Sequence, residues 1–215
     1  MTPEWITAAA SCVGAFGIIL IALQVKISAE QLQLSQKQLE ADHMRSRREH
    51  AIDVLRRWTD GLDKSLPATR AFVQELTNDQ CKCLISREPF DVPEKHKLIL
   101  SHALHDVLTD GHELDAKDGK ITLNQKHISH LLVLVIQHLN SLEVALLSWM
   151  NGVADKDMIE TQFRYLVRFE NGHFVLENLR EVMAGKASFP AIEHFVTHLQ
   201  EKYDEAKPKP KSEIA

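Results

Sequence analysis

The sequence predicts an all-α protein: one N-terminal transmembrane helix continuing into a stalk, then a cytoplasmic helical bundle. Three observations carry this. The 21 residues from Trp5 to Val25 include no charge, and at about 1.5 Å per residue they span roughly 30 Å, the thickness of a bilayer's hydrocarbon layer. Lys26 to Trp58 contains no Gly or Pro and is rich in Gln, Glu, Leu, Lys and Arg, all good helix formers. Beyond it, apolar residues recur with helical spacing, with no period-2 alternation and no internal repeat.

Composition bounds the function. A chain of 215 residues suffices for one domain with a short appendage. With 44% apolar and 26% charged residues it is an ordinary globular composition. The net charge of −5 argues against nucleic-acid binding by a broadly basic surface. Aromatics at 6% argue against a stacking platform for single strands. Cys12, Cys81 and Cys83 form no disulfide or metal framework, which suits a reducing compartment.

Residues 1–25 form the first segment. A cleaved signal peptide would need a basic start, yet Met1 to Glu4 carries only an acid. Lys26, Lys37, Arg45, Arg47 and Arg48 all follow the span and none precedes it. The positive-inside rule therefore places the N-terminus outside and the body in the cytoplasm. On the span, Thr7, Ser11, Gly14, Ile18 and Ala22 fall on one stripe, opposite Val13, Phe16, Ile19, Leu20 and Leu23. Small and hydroxylated residues let helices approach closely in lipid, so the stripe is a candidate packing or pore-lining face.

Residues 26–58 are the stalk, which enters the body near Ile52. Its apolar residues give an imperfect stripe. Its Arg45, Arg47, Arg48, Arg56 and Arg57 suit a solvated face paired with Glu49 and Asp53, or contact with headgroups, RNA or acidic neighbours. Residues 59–205 form the bundle. Asp60-Gly61 and Pro67 interrupt the pattern, and a helix resumes over Ala68–Leu76. Thr77 to Glu94 reads as a loop. A helix from Pro93 to Leu108 carries His96, His102 and His105. The segment TDGHELDAKDGK, Thr109 to Lys120, reads as a polar loop without calcium-loop spacing.

Thr122 or Asn124 caps the longest body helix, which runs to Met150. Its LLVLVIQHLNSLEVALLSWM is apolar nearly all round, the mark of a core helix. His138, Asn140 and Glu143 make it a costly membrane span. Gly152 ends it, and Asp155 caps the next helix, whose apolar face is Met158, Ile159, Phe163, Leu166 and Val167. Phe169 to Met183 continues that helix or restarts it after Asn171-Gly172. Ser188 caps a last one from Phe189-Pro190 to about Asp204. The tail, 206–215, has no core residues and is expected to be disordered.

Three groups of residues bear on chemistry. Asn140 and Glu143 sit one turn apart in the most apolar helix, so a buried polar clamp with Arg164 and Arg168 is expected. Arg168-Phe-Glu-Asn-Gly-His173 fits the loose Arg-x4-His pattern of HEPN ribonucleases, as does Arg45 with His50. There, an Arg stabilises charge on a scissile phosphate and a His moves the proton. The pairs His102/His105, His127/His130 and His194/His198 have helical spacing but lack a third zinc ligand. The sequence has no Walker loop, GxGxxG, GxSxG or HExxH, so no cofactor is expected.

The order of features has a family likeness. A single span leads to a Gln-rich stalk and Arg57-Trp58. Then come HLNSLEVALLSWMNG and VADKDMIETQFRYLV. Leu139, Asn140, Glu143 and Ala145, with Gly152, Asp155 and Ile159, carry the motif. The chain resembles a family of small bacterial membrane proteins that includes the membrane accessory proteins of type VI-B CRISPR loci. That resemblance implies an inner-membrane protein with a cytoplasmic body, self-association, a membrane pore and a role in antiphage defence beside a CRISPR or other sensor. It also implies that Arg168 and His173 stand where relatives carry a HEPN-like pair. The expected function is thus a self-assembling membrane effector. A membrane-tethered ribonuclease and a passive anchor for a partner are the alternatives.

Overall fold

The computed structural model describes residues 4–108, 114–167, 174–184 and 188–206, and the side chains within them except those of 4–19, 22, 166, 184 and 206. Among the described residues the protein is mostly helical, with 76% of them in helices. The chain divides into two units, residues 1–46 and 47–215.

Helix α1, Glu4–Asp60, runs through the first unit without a break and ends in the second. Its length follows from the absence of any breaker after Gly17 until Gly61, whose N–H closes the last turn on the Arg57 carbonyl at 3.1 Å. In the first unit Leu20, Leu23, Val25, Ile27, Leu32, Leu34, Leu39 and Met44 are exposed. The predicted stripe of Thr7, Ser11, Gly14, Ile18 and Ala22 is helical in backbone, but these side chains lie outside those described.

The body follows from Arg47. Helix α2, Leu66–Gln74, starts with Pro67 in its first turn, where the missing N–H costs nothing. Helix α3, Asn78–Ser86, occupies a stretch expected to be a loop. It is set by a reciprocal cap: Thr77 accepts from the Gln80 backbone while the Gln80 side chain accepts from Thr77 N–H. Arg87 ends it at φ 58°.

Strand β1, Phe90–Pro93, leads through a 3₁₀ turn at Glu94–His96 to α4, Lys97–Ala103. Strands β2, Ala116–Lys117, and β3, Lys120–Leu123, complete an antiparallel sheet in the order β1-β3-β2. Phe90 pairs with Leu123 and Ala116 with Ile121. This sheet corrects the strand-free expectation and the reading of Thr109 to Lys120 as plain loop. Asp118 and Gly119 both have positive φ, 51° and 72°, the geometry of a two-residue hairpin turn. In β3, Ile121 and Leu123 turn inward while Lys120 and Thr122 turn out. Thr122 is therefore a strand residue that bonds Asp91, and Asn124 is the cap of the next helix, accepting the His127 N–H at 3.0 Å.

Helix α5, Gln125–Met150, is the core helix. Ile128, Leu131, Val135, Leu139, Leu142 and Leu146 are fully buried. Each such side chain contributes about 1.5–3 kcal/mol on burial. Among the residues whose side chains are described it is also the one helix long and apolar enough to cross a membrane. One face of it is buried in the body, while Val133 and Val144 are exposed. Gly152, at φ 64°, turns the chain, and Asp155 caps α6, Lys156–Val167, through the Met158 N–H at 3.1 Å. Helices α7, Glu177–Ala184, and α8, Pro190–Ala206, close the body. Helix α8 packs along α5, α2 packs on α4 and α5, and α3 on α7.

Candidate functional site

The expected clamp centred on α5 takes a different form. Asn140 is exposed. Glu143 is half-buried and accepts the backbone N–H groups of Ala191 and Ile192 at 2.8 and 3.0 Å. It therefore caps α8, where unpaired N–H groups and the positive end of the helix dipole favour a carboxylate. Ser188 was the expected cap. The chain supplies Glu143 from the neighbouring helix instead.

Arg164, the other expected partner, is largely exposed and bonds Glu160 one turn back at 3.3 Å. Arg168, and with it the candidate pair Arg168 and His173, lies outside the described residues. The buried guanidinium belongs to Arg180 on α7. It is 3% exposed, donates to the Val175 carbonyl at 2.8 Å and pairs with Glu193 of α8. Burial lowers its pKa, while the charges of Glu177, Glu181 and Glu143 work the other way. An arginine remains protonated in any such setting, so this pair holds a full charge inside the fold.

A second polar group joins α6 to α8 around Glu160, whose carboxylate is almost wholly buried. Lys202 Nζ reaches both its oxygens, at 2.8 and 2.9 Å, and His198 Nε2 lies 3.1 Å from Oε2. Burial alone would raise the carboxyl's pKa. Hydrogen bonds from Lys202 and His198, the Lys202 charge and the Arg164 bond outweigh it, and the pKa falls below the usual value. Beside them, the rings of His194 and His198 lie against Trp149 at 5.7 and 5.0 Å, and Lys156 sits over its face. Both carboxylate oxygens and the His198 Nε2 are engaged with one another. The group thus works as an electrostatic fastener between helices rather than as an acid–base pair with a free oxygen.

Of the histidine pairs, His194/His198 meets at Trp149 and His127/His130 shares α5, while His102/His105 is divided by the end of α4. His102 lies on α4 but His105 beyond its end, and both are exposed. His127 Nδ1 and His130 Nε2 are buried atoms without a hydrogen bond. Among the described residues no three His, Cys, Asp or Glu side chains converge on a metal position. In the basic cluster, Arg57 pairs with Asp53 at 2.9 Å and Arg48 lies 3.4 Å from Asp155.

Sequence reading missed the group of Glu160, His198 and Lys202, and the buried Arg180 apart from it. Only the one-turn spacings Glu160/Arg164 and His198/Lys202 hinted at it. Comparison of the chain with protein-family models, with curated proteins and with solved structures returns no match.

Proposed function

We propose that the protein is a single-span membrane effector: copies assemble through the N-terminal helix and permeabilise or depolarise the membrane that holds them. The observation that carries this reading is the uncharged run from Trp5 to Val25 at the head of one continuous helix, Glu4–Asp60. A stretch of that length without charge is stable across a bilayer and costly in water. The basic residues that follow it support an N-terminus outside and a body inside the cytoplasm. The resemblance to CRISPR-associated membrane proteins supports a bacterial inner membrane and a setting in antiphage defence.

The test is reconstitution of the full chain into lipid vesicles with entrapped dye. The expected result is dye release or loss of an imposed potential, with added RNA left intact. Gly14→Leu should impair release, because a bulky side chain keeps helix backbones apart in lipid, whereas Leu20→Ile should leave it unchanged. Equal release by the two variants would mean that the stripe does not pack. Vesicle insertion without any release would favour the passive anchor. RNA cleavage abolished by both Arg168→Ala and His173→Ala, with the membrane undisturbed, would replace the effector by a tethered ribonuclease.

A further inference from the structure

From Arg47 to its end, α1 meets the body through few side chains. Ala51 and Trp58 are buried there, and Val54 and Leu55 are half-buried. The Arg48–Asp155 pair and the Asp155 N–H on the Arg47 carbonyl add to them. Helix α8, by contrast, buries Ala191, Ile192, Phe195 and Val196 and supplies partners to the buried Arg180 and Glu160. Segments with few buried contacts open at low free energy, so the end of α1 can leave while α5 and α8 stay packed. What Trp58 covers is His138 of α5, at 5.3 Å between rings, with Phe163 of α6 edge-on to Trp58. The imidazole is buried and neither of its nitrogens has a hydrogen bond. Facing it, α1 offers an indole and α2 the charge of Arg70; among the described residues no carboxylate acts on it. A proton there makes a cation without an acceptor, out of water and beside a like charge. The indole face attracts a cation, but too weakly to replace its lost hydration.

We propose that His138 is an acid-operated latch: a proton on its ring drives Trp58 off and releases the end of α1 from a body that stays folded. Once Trp58 has left, the ring meets water and its charge is no longer penalised. Burial holds its pKa at about 4 in the docked state, against 6.5 for a solvated ring. The ratio of released to docked chains is therefore level above pH 6.5 and climbs as pH falls from there to 4. Between pH 7 and pH 4 the rise is about a hundredfold. Burial also lowers the pKa of His96 and His127, so acid loads the body elsewhere in the same window, and only a change at His138 isolates the latch. Helix α1 is continuous from Glu4 to Asp60. What lets go is thus the end of the helix that begins with the uncharged run. The latch lies wholly within residues 47–215 and does not rest on the membrane reading above.

The experiment uses the full chain in detergent, with Cys12→Ala, Cys81→Ala and Cys83→Ala and one new thiol at a time. Ala51→Cys puts that thiol at a buried position of the joint, and Ile52→Cys puts it next door at an exposed one. Each is reacted with a pyridyl disulfide, which labels thiols in acid as well as at neutral pH. The ratio of the two rates gives the released fraction and cancels the reagent's own pH dependence. It should rise about a hundredfold from pH 7 to pH 4, and stay level when His138→Leu or His138→Gln is added. Ala145→Cys, buried in α5, should show no comparable rise. Val54→Cys, at a half-buried position and smaller than the side chain it replaces, repeats the test without crowding the joint. A level ratio at both 51 and 54, an equal rise at 145, or a rise that survives both His138 substitutions would each overturn the proposal. A working latch in a chain that releases no vesicle dye would overturn the effector reading and leave this one standing.

Discussion

His138 sits in the middle of α5, 3% exposed, with neither ring nitrogen hydrogen-bonded. Its ring lies 5.3 Å from that of Trp58, which meets Phe163 edge-on at 5.1 Å. Burial, aided by the charge of Arg70, lowers its pKa from 6.5 to about 4. The unfolded chain then binds a proton that the folded chain refuses. Stability is full above pH 6.5 and should fall as pH drops towards 4, by about 3 kcal/mol at most at ~1.4 kcal/mol per unit. Denaturant titrations at several pH values should show this slope in the native chain and its loss in His138→Leu; an equal slope in both would remove His138 as the cause. Glu160 contributes in the next window down. Its lowered pKa adds stability above the ordinary carboxyl value of 4.5 and withdraws it as pH falls below. Glu160→Gln should lower the melting temperature at pH 7 and flatten the acid side of the curve, which thermal melts at pH 7 and below 4.5 will check. Glu143→Ala removes two charge-assisted bonds to the start of α8 and should cost about 1–2 kcal/mol, measured by urea unfolding. An unchanged midpoint would show that water replaces the carboxylate there. None of these roles was legible in sequence, because the contacts bridge distant positions: the partners of Glu143 lie 48 and 49 residues away.

Local chemistry decides how far each element can be read. The cap of α6 by Asp155 was expected, and for α5 the choice lay between Thr122 and Asn124; the structure uses Asn124, and both caps bond a backbone N–H three residues on. The same rule marks Thr77 and Gln80, where the nearby prolines drew the reading to a loop. The sheet escaped notice because β1 and β3 have four residues each and β2 two. So few positions give alternation no statistical weight, and the Asp118-Gly119 turn was the surviving signal. Helix α7 is held from a distance. Gln74 at the end of α2 donates to the Phe174 carbonyl at 3.0 Å and accepts the Leu176 N–H at 2.6 Å, while Asn178 donates to the Leu76 carbonyl at 2.8 Å. Leu176 needs that support, since its φ of 49° is unusual for a branched side chain. Gln74→Ala should therefore cost about 1–3 kcal/mol and speed amide hydrogen exchange in α7 more than in α5. Uniform acceleration across both helices would mean that α7 does not open on its own.

At the scale of the whole chain, the helical character, the central place of α5 and the length of α1 were all legible, because each depends on long stretches of composition that no single contact can reverse. The polar groups were not, because charge pairing depends on which helices become neighbours. One residue shows what that pairing achieves. Asp155 uses Oδ1 on the Met158 N–H, turns Oδ2 towards Arg48 and gives its own N–H to the Arg47 carbonyl at 3.1 Å. In mechanical terms it is a rivet with three shanks, fixing α1 at Arg47 to the turn that begins α6. Tension drawn along α1 from its N-terminal side would load that rivet before it reached the buried Ala51 or Trp58, so the first thing to yield under force would be the turn after α5, with the core still intact.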